Sequence, residues 1–310
     1  MNLLNNLRFY FFETTLAPLH LMYGLLACVF AVLLGALLAK KQARAFSHQH
    51  MRGLDNAADF DGNLPTVTFA DYGDMRFLHL GTPAVQGSMK ISKPFEIHLD
   101  YVQRMMGWLL LVNLDQVKHL HAMQFGLGAA ALTKFCYRHL GMQTTAVELN
   151  PQVIATCKRW FSLPEDDAKL QVVQGDAAEA VSREQWRGKI DALQVDLYDQ
   201  DAARPVLDSE DFYRNCRNLL TDTGCMSVNL FGHASSYSES LEKITAAFGH
   251  DAVWAFKPTP AGNAIVLAFR TPHTWDKNAL ASQAKQIEAR WPLPATKWLK
   301  TLAPVGARPS

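Results

Sequence analysis

The chain has 310 residues, 49% of them apolar and 19% charged, with a net charge of +1. That composition excludes a disordered chain, and so small a charge gives no general case for a nucleic-acid partner. The five cysteines (Cys28, Cys136, Cys157, Cys216, Cys225) are scattered without a Cys-x-x-Cys pair. They read as buried small hydrophobes in a reducing compartment, and no His, Cys or Asp cluster has metal-ligand spacing.

The N-terminus is set apart by its hydropathy. No charged residue occurs from 14 to 39, and residues 16–39 are apolar and long enough to span a bilayer. Lys40, Lys41 and Arg44 follow directly, whereas Arg8 stands alone before the run. The positive-inside bias then places the bulk of the chain in the cytoplasm, anchored to the inner (plasma) membrane by residues 1–41. A cleaved signal peptide fits less well, because the apolar run is too long. A start of translation at Met22 or Met51 is the other reading of this segment. Residues 42–64 are polar and aperiodic, a linker in which His48-Gln49-His50 reads as solvated.

Residues 65–98 form a small β region. Alternating runs at 66–72 and 76–80 flank a turn at Gly73-Asp74, which predicts an antiparallel hairpin. The region carries Gln86 and leads through Pro94 into a helix expected over 99–111. That helix contains Tyr101 and an apolar stripe of Met105, Met106, Trp108 and Leu109, which reads as core.

Residues 121–150 organise the rest. An apolar run at 119–125 ends in Gly126-Leu127-Gly128, and a helix-prone run over 129–140 follows. Gly141 breaks it, and a β-rich run at 144–147 ends at Glu148. Strand, glycine turn, helix, strand and acid in that order suit a nucleoside: glycines admit close approach, a helix N-terminus offers free N–H groups, and the acid accepts ribose hydroxyls. Further on, Pro151 starts a helix to 161, and 170–173 is a strand ending at Gly175-Asp176. The strand at 190–195 ends at Asp196. Asp208-Ser209 caps a helix through 220, stopped by 222–224, and 225–229 is a strand. A helix at 238–248 precedes strands at 252–256 and 264–269, which a short turn makes antiparallel. Such an alternation predicts an α/β fold with a mostly parallel sheet covered on both faces. Glu148, Asp176 and Asp196 each sit at a strand tip, on the edge where open α/β sheets bind ligands. For Asp176, helix capping alone is the competing role.

Residues 66–270 resemble the spermidine synthase (polyamine aminopropyltransferase) family. The resemblance rests on Phe125-Gly-Leu-Gly128, Val147-Glu-Leu-Asn-Pro151, Gln174-Gly-Asp176, Ile190-Asp191, Val195-Asp-Leu-Tyr-Asp199 and Asp211-Phe-Tyr213. It also includes the N-terminal β region with Gln86 and Tyr101. It implies the Rossmann-like class I methyltransferase fold over 99–272, a mostly parallel seven-stranded sheet whose last strand is antiparallel, followed by a helical tail at 273–310. It further implies decarboxylated S-adenosylmethionine, or S-adenosylmethionine, as co-substrate, with no metal. Glu148 would then bind the ribose, Asp176 and Ala177 the adenine, and Gly126 and Gly128 would make room for the sulfonium. Asp196 would deprotonate the attacking amine and Asp199 hold a substrate ammonium, with Gln86 and Tyr101 lining the cleft. A homodimer is compatible with this reading.

Three positions depart from the family pattern. Gly128 stands where the glycine loop usually carries an Asp for the donor's amine. Tyr101-Val102-Gln103 replaces Tyr-His-Glu, and Gln200 replaces a Pro. Three functions follow: aminopropyl transfer to a polyamine such as putrescine, which the retained Asp196 and Asp199 favour; methyl transfer from ordinary S-adenosylmethionine, which the missing loop acid favours; or a catalytically silent nucleoside-binding protein.

Overall fold

The computed structural model describes residues 52–53, 64–198, 205–231, 234–274 and 276–305. The apolar run at 14–39, Cys28 and Asp199 lie outside the described residues. No helix among the described residues is long and apolar enough to cross a membrane.

A small antiparallel sheet comes first, with strands in sequence order: β1 (Arg52–Gly53), β2 (Val67–Tyr72), β3 (Met75–Leu80) and β4 (Gly87–Lys90). The turn between β2 and β3 uses Gly73 at φ +56°, as the Gly-Asp dipeptide predicts. Alternation turns Val67, Phe69, Leu78 and Met89 to one face, where they bury against Leu127, Ala129 and Phe161. β4, four residues without clear alternation, is not predicted as a strand.

The helix expected over 99–111 is broken. It becomes α1 (Asp100–Arg104) and a 3-10 turn, Gly107–Leu111. Gly107 lies against the Phe256 ring, where a Cβ would come within 3.0 Å. The tighter winding keeps Trp108, Leu109 and Leu110 in the core. Tertiary packing here overrides the 3.6-residue period.

The large sheet contains β5 (His121–Phe125), β6 (Gln143–Glu148), β7 (Leu170–Gln174), β8 (Ile190–Val195), β9 (Leu220–Phe231), β10 (Val253–Phe256), β11 (Asn263–Phe269) and β12 (Leu302–Pro304). Their order is β12-β10-β11-β9-β8-β5-β6-β7. Strands β5 to β9 run parallel to one another, and β11 runs antiparallel to both β9 and β10. β12 adds a short antiparallel edge beyond the seven strands expected. It comes from the tail, which also forms α7 (Lys277–Arg290) and α8 (Ala295–Trp298). Residues 222–224, expected only to stop a helix, belong to β9, whose pairing with β8 shifts register there.

Between these strands lie α2 (Ala131–Arg138), α3 (Pro151–Trp160), α4 (Ala177–Ala180), α5 (Glu210–Leu219) and α6 (Ala234–Phe248). One face of the sheet is covered by Trp108, Phe135, Ile287 and Trp298, the other by Trp186, Phe212, Ile244 and Phe248. Cys136, Cys157, Cys216 and Cys225 are buried and unpaired. Burial pushes all four thiols up from their ordinary range.

One polar pair sits inside the sheet. Gln124 on β5 and Gln194 on β8 are register partners, and the Gln124 amide donates to Gln194 Oε1 at 2.7 Å. The Gln194 amide in turn reaches Met106 Sδ at 3.1 Å. A slip of one residue would bury these amides without partners, so the pair fixes how the tips of β5 and β8 align. The chain steps from β5 outward to β6 and β7, then returns to place β8 on the other side of β5. The switch point of the sheet therefore lies between the tips of β5 and β8, where α/β folds leave a crevice.

Candidate active site

A cleft of about 790 Å³ opens at that switch point. Gln86, Tyr101, Gly126, Gly128, Glu148, Asp176, Ala177 and Asp196 all line it, so eight of the nine sequence-predicted residues meet around one cavity. The ninth, Asp199, is outside the described residues.

The glycine loop is shaped by crowding. Gly126 has φ +86°, and a Cβ there would fall 2.4 Å from the Asp196 carbonyl oxygen. Gly128 has φ +50°, and its Cβ would meet the Gln86 carbonyl oxygen at 3.0 Å. From the other side, a Cβ on Gly87 of β4 would come within 2.6 Å of Ala129 N. The small sheet thus closes directly over the loop. Behind the loop, Ala130 takes a left-handed conformation (φ 58°) and no side chain caps α2. Its first N–H groups are left for a ligand or water.

Glu148 is engaged on both oxygens. Leu127 N donates to Oε2 at 2.9 Å and Asn150 N to Oε1 at 2.8 Å. One carboxylate therefore ties the glycine loop to the start of α3; the Leu149 N–H also faces it, which leaves acceptor capacity for a hydroxyl on the carboxylate as a whole. Burial raises its pKa despite these backbone bonds. Asn150 caps α3 through Gln152 N at 2.9 Å and also donates to Pro65 O at 3.0 Å, stitching the small sheet to this end. Asp176 does cap α4, accepting from Ala178 N at 2.8 Å. The capping role is present, and Asp176 lines the cleft as well.

Asp196 follows β8 and is pinned by its backbone N–H to Phe125 O at 3.0 Å. Tyr101 OH donates to Oδ2 at 3.3 Å, and Asn229 Nδ2 donates to Oδ1 at 2.9 Å. Burial raises the Asp196 pKa, outweighing both hydrogen bonds. Burial and the neighbouring Asp196 charge push the Tyr101 phenol well above 10, which keeps it a donor. Asn229 on β9 also accepts, at Oδ1, from Asn263 Nδ2 of β11 at 3.2 Å. Neither asparagine is among the sequence-predicted residues. Their signal is faint: each is a polar residue beside apolar ones in a strand, Asn229 between Val228 and Leu230 and Asn263 before an apolar run, and such a residue needs a partner when buried.

A carboxylate of raised proton affinity at one end of a cleft can take a proton from an amine. Free helix N–H groups and acids at the other end suit a nucleoside. Among the described residues no group of His, Cys, Asp and Glu is placed to hold a metal ion.

No family model matches the chain. In solved structures, a probable spermidine synthase from Corynebacterium glutamicum superposes with a TM-score of 0.59 at 15% identity, over 82% of this chain and 96% of that one. A spermidine synthase in complex with the transition state analogue AdoDATO gives 0.55 at 14% identity, over 77% and 79%. These likenesses establish the fold. In sequence, the polyamine aminopropyltransferase of Chromobacterium violaceum is 33% identical over 232 residues, covering 74% of this chain and 86% of the relative. With a third of the aligned residues identical across most of both lengths, this chain belongs to the polyamine aminopropyltransferase family.

Proposed function

We propose that this protein transfers an aminopropyl group from decarboxylated S-adenosylmethionine to a diamine such as putrescine. The observation that carries the reading is Asp196: a partly buried carboxylate at the switch point, hydrogen-bonded on both oxygens, in a cleft with the acids and glycines of a nucleoside site. Family membership supports the same reaction.

In this reading Glu148 accepts the ribose hydroxyls, Asp176 and Ala177 face the adenine, and Gly126 and Gly128 leave room for the sulfonium. Asp196 takes a proton from the acceptor ammonium, since a protonated amine has no lone pair to attack with. The freed nitrogen attacks the propyl carbon bonded to sulfur. The carbon–sulfur bond breaks, its electron pair neutralises the sulfonium, and methylthioadenosine leaves. Tyr101 keeps Asp196 in place, Gln86 walls the donor side, and Asp199 holds the distal ammonium.

Gly128 favours a second reading, methyl transfer from ordinary S-adenosylmethionine, because no acid stands there for the donor's amine. The two are separated by assaying both donors with putrescine and following methylthioadenosine, the product of aminopropyl transfer, against S-adenosylhomocysteine, the product of methyl transfer. Asp196→Asn should then lower the transfer rate by about a hundredfold or more, the usual loss of general-base help, with methylthioadenosine affinity unchanged. No release from the wild type with any common diamine would defeat aminopropyl transfer. On sequence pattern alone, residues 14–39 are further proposed to anchor a cytoplasmic enzyme to the inner membrane.

A further inference from the structure

Asp196, ionised as a base must be, can only accept hydrogen bonds, and that fixes the direction of the amides behind it. Asn229 presents its amino group to Asp196 Oδ1 at 2.9 Å, so its carbonyl oxygen faces away. That oxygen accepts from Asn263 Nδ2 at 3.2 Å. Both side chains are nearly buried, at 4% and 9% exposure. Asn263 itself is seated by its backbone, through Thr259 Oγ1 at 3.1 Å and Thr259 N at 2.7 Å. Among the described residues no cation pairs with Asp196; Asn229 and Tyr101 are its side-chain donors. An amide flipped by half a turn would point its oxygen at the carboxylate, acceptor against acceptor. What opposes that flip is the donor on the far side, Asn263.

We propose that Asn263 is a positioning residue for the transfer step. Acting through Asn229, it keeps an amino group on Asp196 Oδ1, which holds the carboxylate ionised and in the rotamer that Tyr101 also grips. The inference rests on Asp196 being the proton acceptor.

Asn263→Asp tests it, because the shape and the backbone bonds to Thr259 stay while the donor to Asn229 is lost. The single-turnover rate with decarboxylated S-adenosylmethionine and putrescine should fall about tenfold, the effect of one hydrogen bond, with the methylthioadenosine Kd within about twofold. In an Asn229→Ala background the same substitution should change the rate by less than about twofold, since the residue it acts through is gone. Asn263→Ala, which removes the donor without adding charge, repeats the comparison and carries it where the Asp variant does not fold. An equal loss in both backgrounds, or no loss with Asn229 present, overturns the proposal while leaving Asp196 its role. A wild-type rate in Asp196→Asn, measured alongside, instead removes Asp196 as the proton acceptor and the proposal with it.

Discussion

Gly126 and Asp196 touch through their backbones: a Cβ on Gly126 would lie 2.4 Å from the Asp196 carbonyl oxygen. The tips of β5 and β8 meet at this point, with Asp196 N bonded to Phe125 O. Gly126→Ala would force the tips apart and strain a left-handed φ. Unfolding in urea should show a loss of about 3 kcal/mol, and the nucleoside site should go with it. A stability within error of wild type would show that the strand tips yield easily.

Glu148 carries two duties, and its variants should separate them. Glu148→Ala removes methylthioadenosine binding and also strands the N–H groups of Leu127 and Asn150, lowering stability by about 1–3 kcal/mol. The strand-tip position alone predicts an intact fold, so this penalty is what the structure adds. Glu148→Gln keeps the shape and one acceptor. Titration calorimetry should give an affinity about ten- to a hundredfold weaker, as for a lost bond to a charged group. Affinity equal to wild type would take Glu148 out of the ribose site.

The elements were legible where local pattern and tertiary need agree. Strands β5, β6 and β8 and helix α3 fall within two residues of their sequence-based limits, because glycine, proline and alternating apolar residues all point the same way. The acids at the strand tips were legible for the same reason. The break after α1 was not, since its cause is the Phe256 ring, distant in sequence from Gly107. Asn229 and Asn263 were illegible together: their meeting depends on the antiparallel register that sets Asn263 against Phe231, and nothing local announces it.

Burial raises Asp196 above its ordinary 3.8, which gives its stability effect a definite sign. A carboxyl group bound more tightly by protons in the folded state adds stability below its unfolded pKa, and that contribution is lost as pH rises through the folded one. Ionised Asp196 therefore opposes folding at neutral pH. Asp196→Asn should melt higher than wild type near pH 7, with the gap narrowing toward about pH 4. The hydrogen-bonded Asp74 and Asp167, whose pKa values are lowered, lose their contributions on acidification in both proteins and cancel in the difference. Transfer by the wild type should fall as pH drops through the raised Asp196 value. A variant that melts lower than wild type at neutral pH would refute the burial argument.

Deleting residues 1–45 should move the protein from the membrane fraction to the soluble fraction and leave methylthioadenosine affinity unchanged. The uncharged run at 14–39 and the Lys40, Lys41, Arg44 flank are the basis. Full-length protein recovered in the soluble fraction without detergent would rule the anchor out.

That same deletion removes Cys28, and the cysteines left behind are the four buried ones. Their thiols stay protonated and shielded while the chain is folded, so a thiol reagent has nothing to modify until the structure opens. Cys157 sits behind the glycine loop, its thiol on Gly128 O at 3.1 Å, whereas Cys216 packs beneath the opposite face of the sheet. The truncated protein thus carries native clocks of its own opening, one under the nucleoside loop and one far from it. If a bound nucleoside slows the labelling of Cys157 more than that of Cys216, the loop opens by itself; equal slowing means that the whole domain opens as one unit.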